Sequence, residues 1–184
     1  MRHIIAILAF SIISLNTTQA ATVSIESSTG PIGVSDVLSL DILGSDFTST
    51  SGGGVNLFYD ASVVNVLSVS IDNTVWNFTN SLGTIDNSSG EVSDILVSVF
   101  PSLIATDFTM ASIEFIAVGE GTTSLLLTDS ILNPWSVSGM RLDPLFLEGS
   151  ITVSAVPVPA ALLLFISGIA TLTFTAKRKD KMSS

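Results

Sequence analysis

The stretch "DVLSLDIL" at residues 36–43 alternates without a break. Val37, Ser39, Asp41 and Leu43 fall on one face, and Leu38, Leu40 and Ile42 on the other. A period of two marks a half-buried strand, because successive side chains of a strand point to opposite faces of the sheet. Similar alternation, or a short apolar run rich in Val and Ile, recurs at 22–26, 55–59, 63–71, 93–100, 110–118, 123–129 and 145–155. Between these runs lie turn clusters such as "GSDFTSTSGGG", "DNSSG", "GEGT" and "LNPWS", in which Gly, Pro, Asn, Asp and Ser supply the conformations that turns need. No stretch of residues 21–155 carries the 3.6-residue period of an amphipathic helix. Many short strands at regular spacing predict one all-β domain, a single antiparallel β-sandwich.

The two ends break this pattern. Arg2 and His3 precede an apolar run from Ile4 to Leu15, and Thr18 and Ala20 are small residues at −3 and −1 of a cut between Ala20 and Ala21. This is the layout of a secretory signal peptide over residues 1–20; the apolar run is too short for a helix across a bilayer core of ~30 Å. At the other end, Ala160 to Ala176 holds seventeen residues without a charge, enough as a helix to cross a thin bilayer. Pro157 and Pro159 stand just before it, and Lys177, Arg178, Lys179 and Lys181 follow as a basic stop-transfer cluster. The expected organisation is a signal peptide (1–20), an exported sandwich (21–155) and a membrane-anchoring tail (156–184).

Charge and composition narrow the chemistry of the middle. Residues 21–156 hold fifteen Asp and Glu against one basic residue, Arg141, a formal net charge of −14. Such a domain is unsuited to nucleic acid, whose phosphates need Lys and Arg. It suits cations, neutral polymers or a basic partner. The chain has no Cys, and its one His is His3. Ser-His-Asp and Cys-His catalysis are thereby excluded from the exported region, as are ordinary zinc and copper sites. Carboxylate chemistry and oxygen-ligated Ca²⁺ remain. A glycosidase would need two facing carboxylates in a cleft, and nothing in the sequence marks one. The expectation is a protein that is not an enzyme.

Two resemblances follow from these residues. The motif Val156-Pro157-Val158-Pro159-Ala160, the short apolar helix and the terminal basic cluster resemble the sorting tail of PEP-CTERM proteins in its VPxPA variant. That resemblance implies processing by an exosortase-type membrane protease. It implies anchoring at the inner membrane with the domain outside the cytoplasm, then release to the surface or to a matrix of extracellular polysaccharide. The second resemblance spans residues 22–153 and rests on "GPIGVSDVLSLDIL", "VNLFYDASVVNVLSVSI" and "MASIEFIAVGEGTTSLLLTDS". In this order and spacing they resemble a cohesin domain, a jelly roll of about nine strands that holds dockerin modules. The resemblance places dockerin contacts on polar side chains just before Tyr59, where this chain has Gly52-Gly53-Gly54 and offers only backbone.

Individual positions complete the reading. Asp60 opens a turn after Tyr59, where its carboxylate can accept backbone N–H bonds. Trp76 and Phe78 are expected on one face of a strand. Trp135, following Pro134 in a loop, is a candidate exposed aromatic for stacking on a partner or a sugar, although covering the end of the core is the favoured role. Asp72, Asp86 and Asp94 fall in an acidic, turn-rich segment that could supply oxygens to Ca²⁺. Their spacing does not match the EF-hand pattern, and turn chemistry is the favoured role. The leading expectation is an exported, non-catalytic module binding an envelope or matrix protein or polysaccharide. The alternative is a scaffold for a dockerin-bearing partner.

Overall fold

The structure, a computed structural model, describes residues 20–103 and 107–155. The expected signal peptide before Ala20, the sorting motif 156–160, the apolar helix and the basic cluster lie outside these residues. Thirteen strands follow in order: β1 (Thr22–Ile25), β2 (Ile32–Gly33), β3 (Val37–Ser45), β4 (Thr50–Phe58), β5 (Val64–Ser70), β6 (Ser81–Asp86), β7 (Glu91–Leu103), β8 (Asp107–Ala117), β9 (Gly121–Asp129), β10 (Ser136–Val137), β11 (Met140–Arg141), β12 (Leu145–Leu147) and β13 (Gly149–Ser154). Among the described residues there is no helix, and none that could cross a membrane.

The strands form two sheets. One has the order β12-β1-β3-β8-β5. In the other, β4 is flanked by β7 and then β6 on one side, and by β9, β13 and β2 on the other, with β10 and β11 attached near its start. The alternation in the sequence becomes the two faces of each strand. Leu40 and Ile42 of β3 are buried, whereas Val37 and Ser39 are exposed. Val55 and Leu57 of β4, Ile95 and Val97 of β7, and Leu125 and Leu127 of β9 enter the same core from the opposite sheet. A closed apolar core of this kind stabilises a chain of this length without disulfides.

Three expectations are corrected. The pairing is not wholly antiparallel: β1 runs parallel to β12, and β13 parallel to β2. The run at 145–155 is two strands, because the chain passes from one sheet to the other at Gly149. A side chain there would meet the Glu26 and Ile25 carbonyl oxygens at 2.3 and 2.7 Å. Trp76 and Phe78 do not share a strand face. Asp72 closes a tight turn, its carbonyl accepting from the Val75 and Trp76 amides, so Trp76 is fully buried and Phe78 is exposed.

Candidate interaction face

The three glycines before Tyr59 explain how one end of the sandwich closes. Gly52 has φ +135°, and a Cβ there would lie 2.2 Å from the Val97 carbonyl oxygen. A Cβ on Gly53 would lie 2.1–2.4 Å from ring atoms of Trp135. A Cβ on Gly54 would meet Leu96 Cδ2 at 2.5 Å and Ser130 Cβ at 2.9 Å. Gly52 lets β7 approach closely, and Gly53 and Gly54 leave room for the segment Ser130–Trp135, which folds against β4. Ser130 N–H donates to the Gly54 carbonyl at 3.0 Å. The Asn133 amide donates to the Gly53 and Val97 carbonyls, both at 3.1 Å.

Trp135 is therefore not an exposed platform. It is 0% exposed and sits 5.1 Å from the Phe47 ring centroid and 6.0 Å from that of Phe108. Trp76 joins the cluster edge-on to Phe108 at 5.2 Å and donates its indole N–H to the Thr109 carbonyl at 3.0 Å. The candidate stacking surface at Trp135 is ruled out and its favoured role, closing the core, is the one observed, because Gly53 opens a slot in the core that the ring fills. Among the described residues the Trp135 indole N–H has no hydrogen-bond partner, a cost accepted for that packing.

The turn after β4 behaves as read from sequence. Asp60 Oδ1 accepts from the Ser62 amide at 2.8 Å and from its hydroxyl at 2.6 Å. Tyr59 packs edge-on to Phe115 at 6.2 Å, and its hydroxyl donates to Asn87 Oδ1 at 2.7 Å. Burial pushes its phenol above the usual pKa. Asn87 also exchanges hydrogen bonds with both backbone groups of Val66, tying the turn after β6 to the other sheet.

Asp72, Asp86 and Asp94 are not brought together. Among the described residues no three His, Cys, Asp or Glu side chains are grouped to hold a metal ion. Asp72 Oδ1 accepts from the Thr74 amide and hydroxyl, and Asp86 Oδ1 from the Ser88 amide and hydroxyl. Both are turn carboxylates. Asp94 stands at a bulge in β7 with φ 58°, accepting from the Ser130 hydroxyl at 2.6 Å.

Hydrogen bonds from the Ser88 hydroxyl, the Ser88 amide and Ser89 hold the Asp86 carboxyl down to about 2, against an ordinary value of about 3.9. A depressed carboxylate contributes stability that is complete above the unfolded value and lost as pH falls through the folded one. The Asp86–Gly90 turn is thus expected to hold above pH ~4 and to loosen toward pH ~2. The Ser88 and Ser89 amide signals, followed by NMR through an acid titration, should move in that window. Constant shifts down to pH ~2 would contradict it.

The outer face of the β6-β7-β4-β9 sheet is uncovered among the described residues. In-register partners share a face. Phe58 stands beside Leu126, and Asn56 beside Thr128. Leu96 lies over Gly54. The face is mainly polar, with the Phe58–Leu126 pair and Leu96 as apolar contacts and the Asp94 carboxylate, bonded to Ser130, beside Asn56 and Gly54. Glu91, in register with Phe58, and Asp86, in register with Glu91, add carboxylates at its edge. Arg141 bonds to Asp129 and Asp143, at 2.8 and 2.9 Å. Burial is the main influence on the Asp129 carboxyl and raises its pKa, while Arg141 partly opposes the rise.

At the end of this face, beyond Ser98, lies a groove of about 520 Å³. Phe78, Val99, Phe100 and Pro101 are its apolar lining; Ser51, Ser98, Asn133, Ser136 and Ser138 are its polar lining. Phe78 and Phe100 are 71% and 76% exposed with ring centroids 6.4 Å apart. Sequence reading missed this groove. One signal was present: in 93–100, Phe100 falls two residues from Ser98 on the polar face of the strand.

No protein-family model and no curated protein sequence matches the chain. Solved structures do. A type I cohesin from Pseudobacteroides cellulosolvens aligns with TM-score 0.58 and 17% identity over 76% of this chain and 96% of its own. A type I cohesin–dockerin complex from Clostridium thermocellum aligns at 0.60 and 13%, over 74% and 100%. A non-cellulosomal cohesin from the archaeon Archaeoglobus fulgidus aligns at 0.58 and 12%, over 74% and 93%. At these identities the shared property is the fold, and the fold is a cohesin-like sandwich.

Proposed function

We propose that this protein is an exported, non-catalytic cohesin-type module that captures a dockerin-bearing partner on the outer face of the β6-β7-β4-β9 sheet. The observation that carries the reading is that uncovered face, on a sandwich of cohesin fold, with Phe58, Leu96 and Leu126 exposed on it in whole or part. The first part of the contact surface implied by the resemblance falls on β4. Because Gly52-Gly53-Gly54 cannot supply side chains, the contact would rest on those apolar residues and on Asn56 and Thr128. Apolar anchors with a polar rim are how such interfaces hold. Of the carboxylates, Asp60, Asp72 and Asp86 are committed to turns.

Export and sorting belong to the same proposal. The Ala21 carbonyl accepts from the Leu145 amide at 2.9 Å, so the sandwich begins to hold the chain at the residue where the signal peptide is expected to end. The tail 156–184 would anchor the protein until an exosortase-type protease acts near Pro157 and Pro159.

Calorimetric titration of the full-length protein in neutral detergent with Ca²⁺-loaded dockerin modules tests the partner. One-to-one saturable binding is expected; absence of binding across a broad panel would remove the reading. Intact mass of secreted protein tests the sorting. A species running from Ala21 to near Val156 is expected, and secreted protein retaining "AKRKDKMSS" would refute processing.

A further inference from the structure

We infer that the groove between Phe78, Phe100 and Asn133 is a binding site for an uncharged polysaccharide chain, separate from the dockerin reading. Large exposed aromatic side chains cost free energy unless something covers them. Phe78 and Phe100 are held out on fixed backbone. The Phe78 amide donates to the Ser98 carbonyl at 3.2 Å, and the Phe100 amide to Asn77 Oδ1 at 3.3 Å. Asn80 locks the same turn, donating to the Trp76 carbonyl at 2.5 Å and accepting from the Ser98 amide at 3.0 Å. The Ser98 hydroxyl also bonds to the Thr79 carbonyl. The backbone that carries the rings is therefore preorganised, and binding would have only the two side-chain rotamers to order.

The polar half of the lining selects the occupant. An apolar protein segment laid in this groove would bury the Ser136 and Ser138 hydroxyls and the Asn133 carbonyl oxygen without partners, at a cost for each. Both Asn133 N–H bonds go to the Gly53 and Val97 carbonyls, which fixes the amide and leaves its oxygen to accept. A sugar ring answers both halves: its C–H face covers an aromatic ring, and its hydroxyls meet serine and amide groups. Among the described residues no lining residue is charged, although residues 21–156 carry −14. That contrast disfavours an anionic polymer, which the surrounding carboxylates would repel, and a second copy of the chain, which would bring a further −14.

The groove is also placed to reach such a polymer. β13 ends beside Gly121, at the start of β9, whereas Ser130 and Asn133 pack on β4 beyond the end of β9. The tail therefore leaves the sandwich about 27 Å from the groove, at ~3.4 Å per residue along β9. An anchored protein would present the groove away from its anchor.

Native affinity electrophoresis of the full-length protein in neutral detergent tests this with dextran, mannan and xyloglucan against alginate and hyaluronan. Retardation by at least one neutral polymer and by neither anionic one is expected. The Phe78→Ala/Phe100→Ala variant should raise the dissociation constant at least tenfold with an unchanged melting temperature. Should that variant melt early, Ser138→Asp gives a second reading. Its φ of 48° is one that Asp tolerates, and its charge should weaken neutral-polymer binding in the same way. Leu126→Arg, on the dockerin face, should leave retardation unchanged, so the two readings fail separately. Retardation only by anionic polymers, none by any neutral one, or equal retardation of groove variants and wild type would each overturn the site.

Discussion

Replacing Trp135 by Ala is expected to lower stability by roughly 3–5 kcal/mol, the range for deleting a fully buried large aromatic. The ring is enclosed by Phe47, Phe108 and the bare backbone of Gly53, and the segment that carries it is clasped to β4 and β7 by Asn133. At about 4 °C per kcal/mol this is a fall of roughly 12–20 °C in melting temperature, read by circular dichroism at a β-sheet wavelength. A fall of only a few degrees would mean that the ring is a surface feature after all. Trp76, bonded through its own indole N–H to Thr109, remains as an internal reporter of the same cluster.

Gly53→Ala is expected to cost about 3 kcal/mol, the upper end for forcing one extra carbon into a packed core. The added Cβ would stand 2.1 Å from the Trp135 ring, a separation no carbon pair sustains. The mechanism makes a sharper claim than the magnitude. In a Trp135→Ala background the obstacle is gone, so Gly53→Ala should then cost less than about 1 kcal/mol, a coupling of about 2 kcal/mol between residues in contact. A double-mutant cycle by chemical denaturation measures it. Additive losses would separate Gly53 from Trp135 and leave the glycine without this explanation. Coupling of the expected size would show that Gly53 serves the core.

The strands were legible because alternation survives into burial. Leu40 and Ile42 against Val37 and Ser39, or Val55 and Leu57 against Asn56 and Phe58, separate cleanly into core and surface. The short edge segments were not. Two-residue strands such as Ile32–Gly33 and Ser136–Val137 are too brief to show a period and depend on which long strand they meet. β6 hid for another reason: Leu82 and Ile85 are both substantially exposed on an outer strand, so no apolar face marks it. Asp60, Asp72 and Asp86 were legible as turn residues because an Asx turn is local chemistry. The pairing of Gly53 with Trp135 joins residues 82 positions apart, and neither residue signals it alone. The groove escaped for the same reason, since Phe78, Phe100 and Asn133 meet only once β7 and the loop after β9 are side by side.

The claim at the centre of this account is that partner binding uses one face of the sandwich. Two variants separate the faces: Leu126→Arg on the β6-β7-β4-β9 sheet and Val37→Arg on the outer side of the β12-β1-β3-β8-β5 sheet. Both residues are already exposed, at 41% and 51%, so neither change should disturb the core by more than about 0.5 kcal/mol. Titrated with a Ca²⁺-loaded dockerin that binds the wild type, Leu126→Arg should weaken binding at least tenfold and Val37→Arg less than twofold. The reverse order, or two equal effects, would contradict the account.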